Sequence, residues 1–257
     1  MRHPTALLLA YDGAPFRGWQ SQPGKPTIQD AVERALAQAL GGKVQVFGAA
    51  RTDAGVHAEG QVCHFVRQKL DSTSALVELM ETLPKHLPAG LTLKSAALAQ
   101  QSFHARASSV GKRYVYRFAW GPESMQDARA FPLGEAAQPQ WERARKALEG
   151  VLDLTELPGL SSPSTDRRPA PGLTGFSLDE TANSASLELR APAFRKHQVR
   201  NVAGHLAAIA LGLAEPESLR TLAQRKRPWM GAQAPARGLT LVEVVYPPEL
   251  APFNRAL

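Results

Sequence analysis

The chain has 257 residues, 44% hydrophobic and 21% charged, a composition that excludes a disordered, fibrous or membrane-embedded chain and fits a globular one. Its formal net charge of +7 suits a polyanionic partner. The single cysteine, Cys63, excludes an internal disulfide and a cysteine-based zinc site, and fits a reducing, cytoplasmic setting.

In chain order, the apolar run Ala6–Ala10 is cut short at Tyr11-Asp12-Gly13. A signal peptide needs a longer run, and no stretch approaches a membrane span. Residues 6–11 are apolar at nearly every position, which predicts a strand buried on both faces. Ile28, Ala31, Val32, Ala35, Leu36 and Leu40 recur at helical spacing and predict a helix over 28–40 capped by Thr27. Strands are predicted over 44–50 and 61–66, a helix carrying Leu76, Met80 and Leu83 before Pro84, and strands over 91–98 and 112–120. Trp141, Ala144, Leu148 and Val151 mark another helix. Residues 155–183, rich in Pro, Gly and Ser, predict a long loop with little regular structure. A strand follows at 184–189. The strongest helix carries Val199, Val202, Ala203, Leu206, Ile209, Ala210 and Leu213, and a strand over 239–246 closes the pattern. There is no internal repeat. Strands joined by short turns and interspersed with helices predict an α+β class with mixed or antiparallel sheets.

Chemistry concentrates in "VFGAARTDAGVHAEGQV", residues 46–62. Asp and Gly are ordinary turn formers, so this stretch reads equally as a plain connection. In an extended chain, however, residues i and i+2 point to one side. Arg51 and Asp53 then face the same way, and an arginine beside a carboxylate keeps it ionised. Tyr114, Tyr116, Phe118 and Trp120 share one face of a strand. Core packing explains such a face. Tyr114, at the strand's start beside Lys112 and Arg113, also has the character of a ring that stacks on a base and keeps a polar handle. Arg200 lies in the first turn of the strongest helix, where a cation opposes the macrodipole by a few tenths of a kcal/mol. It reads either as an exposed arginine or as the partner of an acid or bound anion. Further basic residues cluster at Arg195-Lys196 and at Arg225-Lys226-Arg227. Asp53, His57 and His64 lack metal-ligand spacing and no cysteine cluster supports them, so no metal is expected. Glu59 does not make a spaced carboxylate pair with Asp53. No phosphate-binding glycine loop is present.

"GAARTDAGVHA" resembles the catalytic segment of the tRNA pseudouridine synthase A (TruA) family. Further matches are "YDGAPFRGWQSQ" and "TIQDAVERAL" upstream, and "FHARASSVGKRYVYRF", "FRKHQVRN" and "APARGLTLVEVVYP" downstream. The resemblance runs over about residues 6–120 and 185–248. It implies a cofactor-free isomerase that converts uridine to pseudouridine in the anticodon stem-loop of tRNA, at positions 38, 39 and 40. On this resemblance Asp53 is the catalytic aspartate, Arg51 the arginine that pairs with it, Arg200 the second arginine of the site, and Tyr114 the tyrosine against the target base. His57 takes a structural or RNA-contacting role, and Lys112, Arg113 and Lys196 complete the expected substrate-binding set. The implied fold is a pair of ferredoxin-like α+β lobes, with sheets joined across a central basic cleft. Residues 1–105 form the lobe with the aspartate loop and 106–257 the lobe with the loop at 155–183. A cytoplasmic homodimer with the tRNA anticodon arm as partner, and no membrane, is expected. A non-catalytic tRNA-binding or folding factor on the same scaffold is the alternative reading, and a base-releasing glycosidase a further one. The chain departs from the family pattern at "DLTELPGLSS" and "TDRRPAPGLTG", at His197-Gln198 where His-Met is usual, and at a missing asparagine before Leu87-Pro88. All three departures lie outside Arg51, Asp53, Tyr114 and Arg200.

Overall fold

The computed structural model describes residues 3–67, 72–165, 170–231 and 233–253. By its contacts the chain divides into two compact units, Met1–Val110 with Leu241–Leu257, and Gly111–Thr240. Each is α+β, as the sequence predicts.

The first unit contains β1 (Pro4–Tyr11), α1 (Ile28–Leu40), β2 (Phe47–Gly48), β3 (His57–Val66), α2 (Thr73–Thr82), β4 (Leu91–Leu98) and, from Leu241 onward, β9 (Leu239–Val245). β1 runs antiparallel between β3 and β4, with Leu7 facing Cys63 on one side and Ala96 on the other. That central place explains its unbroken apolar run, since Ala6, Leu7 and Leu9 are fully buried. β9 lies against β3 so closely that a Cβ on Gly60 would stand 2.1 Å from the Val242 carbonyl oxygen. α1 buries Ile28, Ala31, Val32, Ala35 and Leu36. The Thr27 hydroxyl accepts from the Asp30 N–H (3.3 Å) and donates to its carboxylate (2.6 Å), which closes the helix start. Gly41, left-handed at φ 65°, ends the helix. No basic residue stands in its last turn. Arg67 supplies the cation instead, donating to the carbonyls of Leu40, Gly41 and Gly42.

The second unit contains β5 (Gly111–Ala119), β6 (Phe131–Pro132), α3 (Trp141–Glu149), β7 (Gly175–Glu180), β8 (Ser184–Ala191), α4 (Gln198–Ala210) and α5 (Glu217–Ala223). β8 lies antiparallel between β5 and β7, and β6 joins β5 in parallel. Tyr114, Tyr116 and Phe118 are buried along one face of β5, and Phe118 packs on Trp141 at 4.7 Å. Trp120, just past the strand, is half-buried and stands 6.1 Å from Trp141.

Four expectations need correction. The strand expected over 44–50 is only Phe47–Gly48, because side chains take over the backbone pairing on both sides of it, as described below. Residues 155–183 are not one irregular loop. β7 occupies Gly175–Glu180, and the earlier part folds tightly on itself, with Leu157, Leu160 and Leu173 buried. Residues 166–169 of that stretch lie outside the described residues. Gly172 there allows close backbone approach, since a Cβ on it would meet the Leu154 carbonyl oxygen at 2.0 Å. The strand expected over 61–66 begins earlier, at His57. Leu213 is 78% exposed, because α4 stops at Ala210.

A buried histidine gives the first unit a pH dependence. The His64 ring stacks under Phe47 (5.3 Å) and meets His104 edge-on (4.7 Å). Its Nδ1 accepts the Ala105 N–H, which suits the neutral imidazole. Burial, reinforced by His104, pushes its pKa from 6.5 down to about 4. Below pH 6.5 the unfolded chain therefore takes up a proton that the folded chain refuses. This stability is fully present above about pH 6.5 and is lost progressively as the pH falls toward 4. We expect the urea midpoint to fall across that window, and the fall to be smaller in His64→Gln. Equal pH slopes in the two proteins would remove His64 as the cause.

Candidate active site

The segment from Val46 to Val56 is held by side chains where a longer strand would use its neighbours' backbone. The Val46 N–H donates to Glu33 of α1 (2.9 Å), and the Val46 carbonyl accepts from Gln29 of the same helix (3.1 Å). The Ala49 N–H still donates to the Val62 carbonyl of β3 (2.8 Å). One residue later the Gln61 side chain takes over. Its amide donates to the Ala50 carbonyl (2.8 Å) and accepts from the Ala50 N–H (3.2 Å). β2 therefore stops, and the chain leaves β3 at Arg51.

Beyond that point Thr52 points inward and is buried, Arg51 is exposed, and Asp53 is half-buried. The alternation is the one that the i, i+2 argument predicts, with Arg51 and Asp53 on the outward side. The Thr52 hydroxyl bonds the Tyr11 hydroxyl (2.8 Å), and Tyr11 accepts a further bond from the Gln61 amide (3.3 Å). Burial pushes the Tyr11 pKa up to about 12, so its phenol stays neutral. The Thr52 carbonyl accepts from the Trp19 N–H (3.0 Å), and the Asp53 carbonyl from the Val56 N–H (3.1 Å). Two glycines allow the close approach. A Cβ on Gly13 would lie 2.1 Å from the Val56 carbonyl oxygen, and one on Gly48 would lie 2.4 Å from the Trp19 ring. His57 is buried behind this segment. Its Nδ1 accepts the Gly13 N–H (3.2 Å) and lies 3.1 Å from an Asp12 carboxylate oxygen.

In the second unit, Lys112, Arg113 and Tyr114 follow one another on β5. The Tyr114 ring is buried and stands edge-on to Phe194, with centroids 5.2 Å apart at 88°. Arg113 donates to Glu188 (2.8 Å), which also accepts from Arg190 (2.7 Å). Arg200 is half-buried in the first turn of α4. Its Nε donates to the Ala234 carbonyl (2.8 Å), and the Ala234 N–H donates back to the Arg200 carbonyl (3.1 Å). Lys196, just ahead of the helix, is exposed.

The entry to α4 is fixed by an unusual residue. His197 has φ 60°, the only positive value at a non-glycine among the described residues. Left-handed backbone at such a residue costs about 1–2 kcal/mol. Its ring offsets that cost: Nδ1 accepts from the Gln233 amide (2.7 Å) and lies 3.1 Å from the Ser162 hydroxyl. Ser162 in turn accepts from Gln233 (2.9 Å), and its N–H donates to the Lys196 carbonyl (3.0 Å). Gln198, at the position where the family pattern has methionine, is buried and accepts the Arg195 N–H (2.8 Å). The departure at Gln198 thus does a definite job, closing the turn that leads to Arg200.

The first unit thus gathers Arg51 and Asp53 outward with His57 behind them. The second sets Lys112, Arg113 and Tyr114 on one strand and Lys196 and Arg200 at one helix start. Sequence reasoning missed Gln61, Tyr11, Thr52, Ser162 and Gln233 as supports. Gln61 left one signal, a polar residue inside a strand that is otherwise buried. Among the described residues, no group of three or more His, Cys, Asp or Glu could hold a metal ion.

A family model described as tRNA pseudouridine synthase matches residues 8–106 and 144–247. Arg51, Asp53, His57 and Arg200 fall inside the matched segments, and Tyr114 falls between them. A tRNA pseudouridine synthase A of Syntrophotalea carbinolica is 33% identical over 261 residues, covering 95% of this chain and 96% of its own. One from Shouchella clausii is 35% identical over 246 residues, covering 94% and 92%. One from Photobacterium profundum is 32% identical over 248 residues, covering 95% and 93%.

The Gln61 amide carries a measurable share of this arrangement. Gln61→Leu keeps the bulk but strands the Ala50 N–H and carbonyl, and leaves the Tyr11 hydroxyl only its bond to Thr52. Stranding buried polar groups costs about 1–3 kcal/mol each where water cannot enter. We expect a loss of about 2 kcal/mol or more in urea unfolding. Unchanged stability would mean that water replaces the amide without penalty.

Proposed function

The chain belongs to the tRNA pseudouridine synthase family, and from that premise we propose that it isomerises uridine to pseudouridine in the anticodon stem-loop of tRNA, with Asp53 as the catalytic carboxylate. The reaction breaks the C1′–N1 bond, turns the detached base, and forms a C1′–C5 bond. C5 loses a proton and N1 gains one, so atoms balance and no cofactor is consumed. A carboxylate serves such a step by attacking or by stabilising positive charge on the sugar. The observation that most supports this role is the pinned Arg51-Thr52-Asp53 segment. Buried Thr52 anchors it from within, and Asp53 stands half-buried on the outward side with Arg51.

In this reading Arg51 keeps the carboxylate ionised and Arg200, as the second arginine, attends the flipped nucleotide, since a paired uridine must leave its stack to react. Tyr114 lies against the base and assists removal of the C5 proton. Lys112, Arg113 and Lys196 meet phosphates. Burial of His57 favours the structural of its two roles. From the family resemblance we also infer a homodimer in the cytoplasm. Light scattering at working concentration reads the dimer, and a monomer would sink that part. A non-catalytic tRNA-binding factor remains the competing reading, and tritium release from tRNA labelled at uridine C5 separates the two.

Asp53→Asn is nearly isosteric, so it is expected to abolish tritium release while tRNA binding survives on phosphate contacts elsewhere. Turnover within a few-fold of the parent would take Asp53 out of the reaction. Tyr114→Phe keeps the ring against Phe194 and is expected to lose most activity with little change in melting temperature. Normal turnover would restrict Tyr114 to stacking.

A further inference from the structure

The second unit holds a cavity of about 840 Å³ that none of the residues assigned to the chemistry lines. Its floor is a face of α4. Gly204 and Ala208 stand four residues apart, so they lie one above the other, and their small side chains leave the helix surface open. They follow Arg200 at i+4 and i+8, which puts the floor on the face of α4 that begins at Arg200, about 6 and 12 Å along its axis. Leu222 closes one side. Gly159 lets it come in, since a Cβ there would meet the Leu222 carbonyl oxygen at 1.8 Å.

The opposite wall is set without any ligand. The Trp229 N–H donates to the Ser161 carbonyl (2.8 Å), its indole N–H donates to the Gly231 carbonyl (2.8 Å), and its ring stands edge-on to His205 at 5.8 Å. Met230, 86% exposed, forms the rim beside it. Arg225, Lys226 and Arg227 also line the cavity, all three exposed, and no carboxylate lines it among the described residues. None of the three cations makes an ion pair among the described residues.

A flat apolar floor, a soft thioether rim and three uncompensated cations match a nucleotide: a ring that excludes water from the floor and phosphates that meet the cations. We infer that this cavity binds one nucleotide of the substrate RNA other than the reacting uridine. The base lies over Gly204 and Ala208, and the flanking phosphates meet Arg225, Lys226 and Arg227. The inference rests on the reading that tRNA is the substrate. It adds a subsite that holds the RNA along the face of α4 leading to Arg200.

The test separates base from phosphate. A tRNA transcript is titrated with the full chain by fluorescence anisotropy over a range of salt concentrations. Ala208→Phe fills the floor without changing charge and is expected to weaken binding about ten-fold at unchanged salt dependence. Met230→Ala, at a position too exposed to affect folding, is expected to weaken it about three-fold. Replacing Arg225, Lys226 and Arg227 by alanine is expected to flatten the log–log salt slope by roughly 2 to 3, at about 0.7–0.9 per lost contact. Parental affinity in both Ala208→Phe and Met230→Ala would overturn the subsite, leaving the cations as phosphate contacts only or the cavity as a place for another class of partner. Should Ala208→Phe disturb the circular dichroism spectrum, Met230→Ala decides alone. Absence of tRNA binding by the parent protein would overturn the functional reading itself, and the subsite with it.

Discussion

A strand that leaves its sheet must surrender backbone hydrogen bonds, and in a buried setting every surrendered bond needs a new partner. The Gln61 amide meets that constraint for Ala50. Its oxygen accepts one backbone donor, and its nitrogen serves one backbone carbonyl and the Tyr11 hydroxyl. An amide has the same donor and acceptor spacing as a peptide group, so it can close the ladder where β2 ends. Because Gln61 is itself on β3, the point of departure is tied to the sheet and cannot slide along it. Thr52 fastened to Tyr11, and Gly13 and Gly48 pressed against their neighbours, all follow from that divergence. Without it Arg51, Thr52 and Asp53 would continue as strand residues paired along β3.

The second unit solves a related problem with a different device. α4 begins on a residue forced into left-handed backbone, and its strain is absorbed by a small polar cluster of His197, Ser162 and Gln233. A cluster in which each member bonds the other two restricts the geometry of the turn, because a shift of one breaks bonds to both. Arg200 inherits that fixed geometry and is held again by Ala234, whose carbonyl accepts from the Arg200 side chain and whose N–H donates to the Arg200 carbonyl. In both units, then, a segment carrying a proposed site residue, Asp53 in one and Arg200 in the other, is held by side-chain amides and hydroxyls and not by packing alone.

What could be read from the sequence follows how each element is stabilised. α1 and β4 were legible to the residue, because their burial is periodic and their ends carry Thr27 and Gly41 or a clear change of pattern. The segment over 44–50 was overextended, because its apolar spacing is that of a strand while its hydrogen bonds go to Gln29, Glu33 and Gln61. No pattern of hydrophobicity reports that exchange. β7 was hidden by the Pro and Gly that precede it, and α5 is too short for a period to show. For the site, the two-residue period anticipated the alternation in which Thr52 is buried between the more exposed Arg51 and Asp53. Its support was not legible, since a glutamine that stands in for backbone looks in sequence like any other polar residue within a strand.

The neighbour of β3 on its far side has a further consequence. β9 follows the whole of the second unit in the chain, yet it packs against Gly60, within the strand that carries Gln61. During synthesis at about 5–20 residues per second, the ribosome delivers β1, β3 and β4 well before it. For those seconds β3 keeps an open edge next to the segment bearing Asp53, and open strand edges are the surfaces through which nascent chains associate wrongly. The first unit is therefore completed after most of the second, although the greater part of it is made first.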